Sequence, residues 1–533
     1  MKHTSPRPAL VSPDEVMERL RRPSEGEWAF LDLREEGEAA EGHPFGSTNL
    51  PYSRMEIDLP HLVPRLETPL VLFDDGTGLA DRAARRLASL GRTQLSVVSG
   101  GAPAWRSAVP PLFKGVHSFS KAFGEWVQHA FHVPEIGPQE LAAQLASSKA
   151  PTLIDGRPLA EHLAFTLPGA MNCPNAELAL RLPAMVAADQ PVVVHCAGRT
   201  RSIIGAQTLR DFGFPNPVVA LRDGTQGWEL AGLARETGAS RPAPDLSAEQ
   251  AAEATTRART VIAAQDLPTL TAATLTDWLA DDSRTTYLFD PRSDGPPALG
   301  FRSAPGTTLV QQTDRFIAVK GARVVLWDPL LVRSTFAAMW LTRMGIEAHV
   351  LLQAPAPLPT SQPALPPSLP ALSLHAVTAA MSRGAALLDL RPSALFRTEH
   401  IKGAIWTLRS RLANLSLTPG RAVVLVAHDP ARAALVAADL RDLGHDILGL
   451  APPEPQSWRD AGLATSSADP TDPDDDFETI RFCAGRHSGN LDDARTYLAW
   501  ETGLLDRLSE AGLHPWPELS PQSTPEAGAT TWP

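Results

Sequence analysis

The sequence has 533 residues, of which 43% are hydrophobic and 20% are charged, and these proportions exclude a wholly disordered chain, a collagen and a coiled coil. The net charge of −12 argues against a general nucleic-acid-binding protein, although a small anionic substrate needs only a local positive site. Three cysteines are too few for a disulfide scaffold or a four-cysteine metal site. Because no apolar run matches a membrane span and Met1–Arg22 lacks a signal-peptide core, we expect a soluble, reduced, cytoplasmic protein.

Four short apolar segments along the chain end in the pattern Asp-x-Arg, which is typical of a buried strand that stops at a polar edge. These residue pairs are Asp32 and Arg34, Asp155 and Arg157, Asp290 and Arg292, and Asp389 and Arg391. A glycine turn, a second β-branched run and an Ala/Leu/Arg-rich helical stretch follow each of them at similar distances. Strands of this kind alternating with helices predict four copies of one α/β module, each built around a parallel sheet.

The copies divide the chain into segments that we treat as modules. We predict module 1 over residues 1–117, module 2 over 118–245, module 3 over 246–353 and module 4 over 371–466. Residues 354–370 are rich in proline and predict a stiff extended linker between modules 3 and 4. Residues 467–533 predict an acidic linker, an amphipathic helix over Asp492–Ala511 and a tail.

One residue directly follows the second strand of each module, and it differs between the copies. It is Asp74 in module 1, Cys196 in module 2, Asp328 in module 3 and His428 in module 4. Only module 2 has a nucleophile at this position, because the thiolate of Cys196 is a good nucleophile and binds soft electrophilic sulfur. We therefore predict that module 2 is catalytic and that the other three frame the site, hold a partner or support oligomerisation.

The sequence around Cys196 predicts a strand, a six-residue turn and a helix. Such a turn directs backbone N–H groups toward an anion, and Arg199 and Arg201 add positive charge. We therefore expect the pKa of Cys196 to fall below about 8.5, the value of a free thiol, and the thiol to be accessible from solvent. Gly198 would let the backbone approach a bound substrate closely.

These motifs resemble the rhodanese (thiosulfate sulfurtransferase) family, and the chain looks like a tandem protein with four rhodanese-like modules. The resemblance includes Pro168–Ala170 and Gly224–Trp228 and is strongest in module 2. It implies a five-stranded, mainly parallel sheet flanked by helices in each module. It also implies that Cys196 is the catalytic residue and carries a persulfide. The residues that would bind the substrate in the loop are Ala197, Gly198, Arg199, Thr200, Arg201 and Ser202.

The resemblance implies a sulfurtransferase that moves a sulfane sulfur from thiosulfate or a related persulfide donor to a thiol or cyanide. The partners would be a small anionic donor, that acceptor and, as a further option, a protein sulfur acceptor, without nucleic acid, membrane, cofactor or metal. One alternative is a non-enzymatic scaffold in which Cys196 is a redox sensor. Another is a cysteine-based phosphatase or arsenate reductase, which the loop disfavours because only four residues separate Cys196 from Arg201.

Four other residues have structural interpretations. Asp155 and Arg157 recur in modules without a cysteine, so we predict that they support the strand end as an ion pair. Cys173 is more typical of a core cysteine than of a resolving thiol. Cys483 begins a segment that imitates the Cys196 loop, but no apolar strand precedes it, so we predict that it has no catalytic role.

Overall fold

The structure is a computed structural model, and it describes residues 8–22, 26–109, 111–358, 365–468 and 477–516. In module 1 the strands follow the order β1-β5-β4-β2, with β3 beside β2, and all these pairs are parallel. The elements are β1 (Ala9–Val11), α1 (Pro13–Arg21), β2 (Trp28–Asp32), α2 (Glu36–Ala40), β3 (Thr48–Asn49), α3 (Met55–Leu62), β4 (Leu70–Phe73), α4 (Leu79–Ser89), β5 (Leu95–Val98) and α5 (Gly101–Ala108).

Module 2 repeats this topology with five parallel strands in the order β6-β10-β9-β7-β8. Its central strand is β9, and every residue of that strand is buried, as expected for a strand covered on both faces. The elements are α6 (Ser118–Phe131), β6 (Glu135–Ile136), α7 (Pro138–Leu145), β7 (Thr152–Asp155), α8 (Leu159–Ala164), β8 (Met171–Asn172), α9 (Asn175–Met185), β9 (Val192–His195), α10 (Thr200–Asp211), β10 (Val218–Leu221) and α11 (Gly224–Leu230).

Module 3 has a five-stranded parallel sheet in the order β11-β16-β15-β12-β13. Its extra strand β14 leaves this sheet and pairs antiparallel with β2 of module 1, which joins the two modules through backbone hydrogen bonds. The elements are α12 (Ala248–Ala264), β11 (Thr269–Leu270), α13 (Ala272–Leu279), β12 (Thr286–Asp290), β13 (Arg302–Ser303), α14 (Gly306–Gln311), β14 (Val319–Lys320), β15 (Arg323–Leu326), α15 (Val332–Arg343) and β16 (Glu347–Leu351).

Module 4 has a smaller parallel sheet, with four strands in the order β19-β17-β20-β21 among its described residues. Where the other modules place their first strand, Ala371 makes one isolated bridge to Leu450. The adjacent Pro370 has no N–H for a longer ladder. The elements are α16 (Leu374–Ser382), β17 (Ala386–Asp389), α17 (Ser393–Thr398), β18 (His400–Ile401), β19 (Ile405–Trp406), β20 (Ala422–Val426), α18 (Pro430–Asp442), β21 (Asp446–Ala451), α19 (Pro455–Asp460) and β22 (Thr465–Ser466).

Residues 477–516, which we call the C-terminal segment, form two helices instead of the single predicted one. They are α20 (Leu491–Thr502) and α21 (Leu504–Glu510), and Gly503 separates them. A short 3₁₀ turn, Ala484–His487, precedes α20. The acidic stretch Asp469–Asp476, part of the proline-rich linker and the predicted tail lie outside the described residues.

One hydrophobic core runs through modules 1, 2 and 3 and includes the C-terminal segment. Phe30, Ile154 and Val324, from three different sheets, belong to this core together with Trp500. Module 4 has separate apolar clusters around Leu388 and Val424. Because the C-terminal segment belongs to the common core, its position relative to module 2 is fixed by packing. Among the described residues, no helix is both long and apolar enough to cross a membrane.

Candidate active site

Cys196 lies at the carboxyl end of β9, where the central strand of module 2 meets the N-terminus of α10. The helix begins at Thr200, because the amides of Ser202 and Ile203 already donate to the carbonyl of Arg199. The predicted six-residue turn is therefore wrong in length, and Thr200, Arg201 and Ser202 form the first helical turn. The unpaired N–H groups and positive dipole end of α10 consequently lie closer to Cys196 than the sequence indicated.

Among the residues that the structure describes, Ser202 is the one whose side chain hydrogen-bonds to the thiol of Cys196. The Ser202 hydroxyl donates to Sγ at 3.2 Å. On the other side of the loop, Gly224 begins α11 with a φ of +53°, and a Cβ at this position would lie 2.4 Å from the carbonyl oxygen of Cys196. Only glycine therefore fits between α11 and the loop. The amides of Thr225 and Gln226 donate to the carbonyls of Cys196 and Ala197, which fixes the loop backbone.

Contrary to the sequence-based expectation of an accessible thiol, Cys196 is only 2% exposed. Gly198 and Thr200 of the loop are buried as well. The reason is that α11 covers one side of the loop and α20 of the C-terminal segment covers another. An ideal Cβ at Gly198 would lie 3.1 Å from Oε2 of Glu501 and 3.4 Å from the ring of Tyr497.

Arg199 pairs with three carboxylates, and its role in binding substrate stays a prediction. Its guanidinium donates to Glu125 at 2.7 Å and to Asp223 at 3.0 Å, and it lies 3.7 Å from Glu135. These three carboxylates neutralise it behind the loop. Burial raises the pKa of Glu125 to about 7 against the influence of Arg199, and the neighbouring Glu501 and Glu135 raise it further.

Arg201 interacts electrostatically with Cys196. Its guanidinium donates two parallel hydrogen bonds to Glu161 of α8, at 2.7 and 2.8 Å. Burial opposes the charge of Arg201, but Glu161 and more weakly Cys196 raise its pKa above the ordinary value. The side chain of Glu161 is 42% exposed, so this pair reaches solvent, and we refer to the Arg201–Glu161 pair as the entrance of the site.

Asp155 and Arg157 form a completely buried ion pair beside the site, with a distance of 2.7 Å. Asp155 also accepts hydrogen bonds from His162 and Thr166. The same pair closes the corresponding strand in the other modules, as Asp32–Arg34, Asp290–Arg292 and Asp389–Arg391. Its presence in every module indicates a structural role, because a shared fold and not a shared chemistry explains it.

The other two cysteines lie in surroundings that disfavour a thiolate. Cys173 is fully buried, and burial raises its pKa well above the ordinary value. Cys483 directly precedes the 3₁₀ turn and has no strand before it among the described residues. Burial and the nearby Asp493 raise the pKa of Cys483, which disfavours a reactive thiolate.

Sequence reasoning missed the acidic side chains that surround the loop. Glu161 pairs with Arg201, Glu125 pairs with Arg199, and Glu501 accepts a hydrogen bond from the Thr200 hydroxyl at 2.6 Å. A signal was present for Glu501, which stands beside apolar residues in the predicted amphipathic helix. A local pattern cannot show what such a helix packs against.

Fold and site together define a repeated α/β protein in which one module carries a cysteine at the junction of a parallel strand and a helix N-terminus. The rhodanese-like domain family matches residues 12–108 and 137–231. A crystal structure of a thiosulfate sulfurtransferase from Pseudomonas aeruginosa is 34% identical, with a TM-score of 0.84, over 96% of this chain and 100% of that one.

A curated relative, an HTH-type transcriptional regulator of Mycobacterium tuberculosis, is 29% identical over 186 residues, which are 30% of this chain and 81% of that protein. The similarity to the Pseudomonas protein extends over all four modules and the C-terminal segment. The chain belongs to the rhodanese-like, or thiosulfate sulfurtransferase, family.

Proposed function

We propose that the protein is a thiosulfate sulfurtransferase in which Cys196 alone carries the transferred sulfur. The observation that carries this proposal is the position of Cys196 between the end of β9 and the N-terminus of α10, with the Ser202 hydroxyl donating to its sulfur. At that position a thiolate and the persulfide anion derived from it are both stabilised by the helix dipole and by hydrogen bonding.

The reaction needs no cofactor because both steps are displacements at sulfur. The Cys196 thiolate attacks the outer sulfur of thiosulfate, a new S–S bond forms, and sulfite leaves with the electron pair of the bond that breaks. Cyanide or a thiolate then attacks the outer sulfur of the persulfide, and the Cys196 thiolate is regenerated as the leaving group. Ser202 can donate a hydrogen bond to the cysteine sulfur in each of these states.

Arg201 is the group that we assign to the oxyanion part of the donor. Glu161 already occupies its guanidinium with a bidentate carboxylate, which has the size and charge of a small oxyanion. A sulfonate group can take the place of Glu161 while that side chain moves into solvent, since it is 42% exposed. Exchange of one anion for another keeps Arg201 paired and leads the donor toward the thiol.

Modules 1, 3 and 4 are non-catalytic in this proposal, and a reducing compartment such as the cytoplasm suits the chemistry. The three cysteines are free thiols, and a persulfide carrier must return to a thiol after each turnover. The physiological acceptor can be a small thiol, cyanide in the assay, or a protein thiol.

The test is the formation of thiocyanate from thiosulfate and cyanide by the full chain. We expect activity in the wild type and in C173S and C483S, and none in C196S. Mass spectrometry after treatment with thiosulfate should find one additional sulfur atom on the peptide that contains Cys196. If C196S retains thiocyanate formation, the assignment is wrong. An inactive wild type without persulfide would favour a scaffold or redox sensor, and release of p-nitrophenol from p-nitrophenyl phosphate would favour a phosphatase.

A further inference from the structure

The C-terminal segment provides part of the wall around the Cys196 loop. Glu501 is completely buried, and its Oε1 accepts the Thr200 hydroxyl hydrogen bond at 2.6 Å. The Lys121 ammonium of α6 lies 3.4 Å from the same oxygen. Its Oε2 has no hydrogen-bond partner among the described residues and faces Gly198. A buried carboxylate with one unpaired oxygen is costly, so stability alone does not explain why it lies against this loop.

Glu501 is held in this position by contacts that do not involve the Cys196 loop. Within the segment, Asp493 accepts a hydrogen bond from the amide of Gly485 at 2.7 Å, and Asn490 caps the first turn of α20. Trp500 lies against Gly115 of module 1, because a Cβ there would be only 3.0 Å from its ring. Trp516 packs on the aromatic rings of α6. The backbone of α20 is thus fixed independently of the loop that Glu501 contacts.

The same segment also reaches the entrance of the site. His487 stacks on Phe165 of module 2, with ring centroids 5.4 Å apart, and it interacts electrostatically with Glu161 and Arg201. Arg486 lies over the ring of Tyr497, 4.6 Å from its centroid, and thereby links this turn to α20. The loop and its entrance are therefore in contact with one element that lies about 300 residues further along the chain.

We propose that the C-terminal segment is part of the Cys196 site and that Glu501 is a positioning residue, which holds the loop in its reactive conformation through Thr200 and Gly198. This inference rests on the proposed sulfur transfer. Glu501 does not touch the transferred sulfur. It fixes the first turn of α10, whose N–H groups and whose Ser202 hydroxyl face the cysteine.

The experiment compares E501A and T200V with T200S, which retains the hydroxyl, and with D492N, which alters an exposed carboxylate on the same helix. Two quantities are measured on the full chain: the rate of thiocyanate formation, and the rate at which iodoacetamide alkylates Cys196. The buried Cys173 is an internal monitor, because global loosening would expose it as well.

We expect E501A and T200V each to lower kcat about tenfold, with a smaller change in KM, and to raise the alkylation rate of Cys196 relative to Cys173. The double variant should be no worse than either single one, since both remove the same contact. T200S, which keeps the hydroxyl, should restore most of the turnover and the slow alkylation that T200V loses, and D492N should behave as the wild type in both measurements.

Two results would overturn the proposal. If alkylation and turnover both increase, the segment is an inhibitory cover and does not position the loop. If neither changes, the contact is inert. Failure of the proposed function is distinguishable, because the wild type then forms no thiocyanate, while the alkylation rates still show whether Glu501 and Thr200 jointly control the loop.

Discussion

The Cys196 loop of module 2 and the Asp328 loop of module 3 have the same architecture with a different residue at the centre. In both, a serine six residues further along bonds to that residue: Ser202 donates to the Cys196 sulfur, and Ser334 donates to Asp328 through its amide and its hydroxyl, each at 2.8 Å. The carboxylate of Asp328 thus occupies a position that binds an anion. The strand–loop–helix fold supplies hydrogen-bond donors for an anion. In module 3 the Asp328 side chain occupies this position permanently, whereas in module 2 the position holds Cys196.

The arginines of the two loops extend this comparison. Arg201 pairs with Glu161 of its own module, which is 42% exposed. Arg333 pairs with Glu177, which comes from α9 of module 2 and is only 7% exposed. Arg333 of module 3 is therefore paired in a buried contact between two modules. Arg201 of module 2 is paired with a side chain that can move into water. The Arg333–Glu177 pair joins module 3 to module 2, whereas under the proposed function Arg201 exchanges Glu161 for the donor.

The largest effect is expected when module 2 is made to resemble module 3. C196D should lower thiocyanate formation by at least about 1000-fold, because the carboxylate does not accept a sulfur atom. It should still fold, since the new carboxylate can accept the Ser202 hydroxyl as Asp328 accepts that of Ser334. Thiocyanate assays and thermal melting check this, with C196A as the control. An unfolded C196D beside a folded C196A would show that the two loops are less alike than described.

The next largest effect is expected at Arg201, whose partner Glu161 can be exchanged for the donor. R201Q should lower kcat/KM about 10- to 100-fold while the melting temperature stays close to the wild-type value, because the donor loses its cation. R241Q is a matched control, as Arg241 forms an ion pair with Glu236 in the same module, at 2.5 Å, without contacting the loop. Equal losses of activity in both variants would contradict the assignment of Arg201 as the residue that binds the donor.

A smaller effect, on stability and not on activity, is expected in the Asp328 loop of module 3. D328A should lower the free energy of unfolding by about 1–3 kcal/mol, because the buried amide and hydroxyl of Ser334 lose their acceptor. Urea denaturation measures this, with the exposed Asp277 changed to alanine as the control. Sulfur transfer by the folded fraction should be unchanged, and a parallel loss of activity would mean that module 3 contributes to the reaction.

Acidification should weaken the contact between the C-terminal segment and the entrance. Burial lowers the pKa of His487 to about 3, and Arg486, Arg157 and Arg201 add to this effect against Glu161. A group with a depressed pKa binds its proton more readily when unfolded, so its contribution is complete above about pH 6.5 and is lost as the pH falls toward 3.

The wild type should therefore lose stability relative to H487Q below about pH 6.5, by at most about 1.4 kcal/mol per pH unit. Thermal melting of the two proteins between pH 8 and pH 5 measures the difference, since both share every other titrating group. A constant difference over this range would show that His487 is not held neutral by the entrance.

The sequence was sufficient to predict what short-range patterns encode. The Asp-x-Arg segments indicated the strand ends, and the resemblance to rhodaneses indicated the fold, which the comparison with the Pseudomonas enzyme confirms. The partners of Arg199 and Arg201 could not be predicted, because Glu125 and Glu161 lie on helices whose docking depends on the whole module. Glu501 is 301 residues from Thr200 in sequence, much further apart than the arginines are from their partners. An amphipathic pattern shows that one face of a helix is buried, but it does not show which element that face packs against.

The smallest effect is expected at Cys483, whose surroundings imitate the Cys196 loop in sequence only. Cys483 directly precedes a 3₁₀ turn and not the N-terminus of an α-helix, and burial and Asp493 raise the pKa of its thiol. C483S should leave thiocyanate formation and the melting temperature unchanged, because serine is close to cysteine in size and the proposed reaction does not use this thiol. Since the same segment carries Glu501, a loss of activity in C483S would show that the segment is sensitive along its whole length and that its effect on the loop is not specific to Glu501.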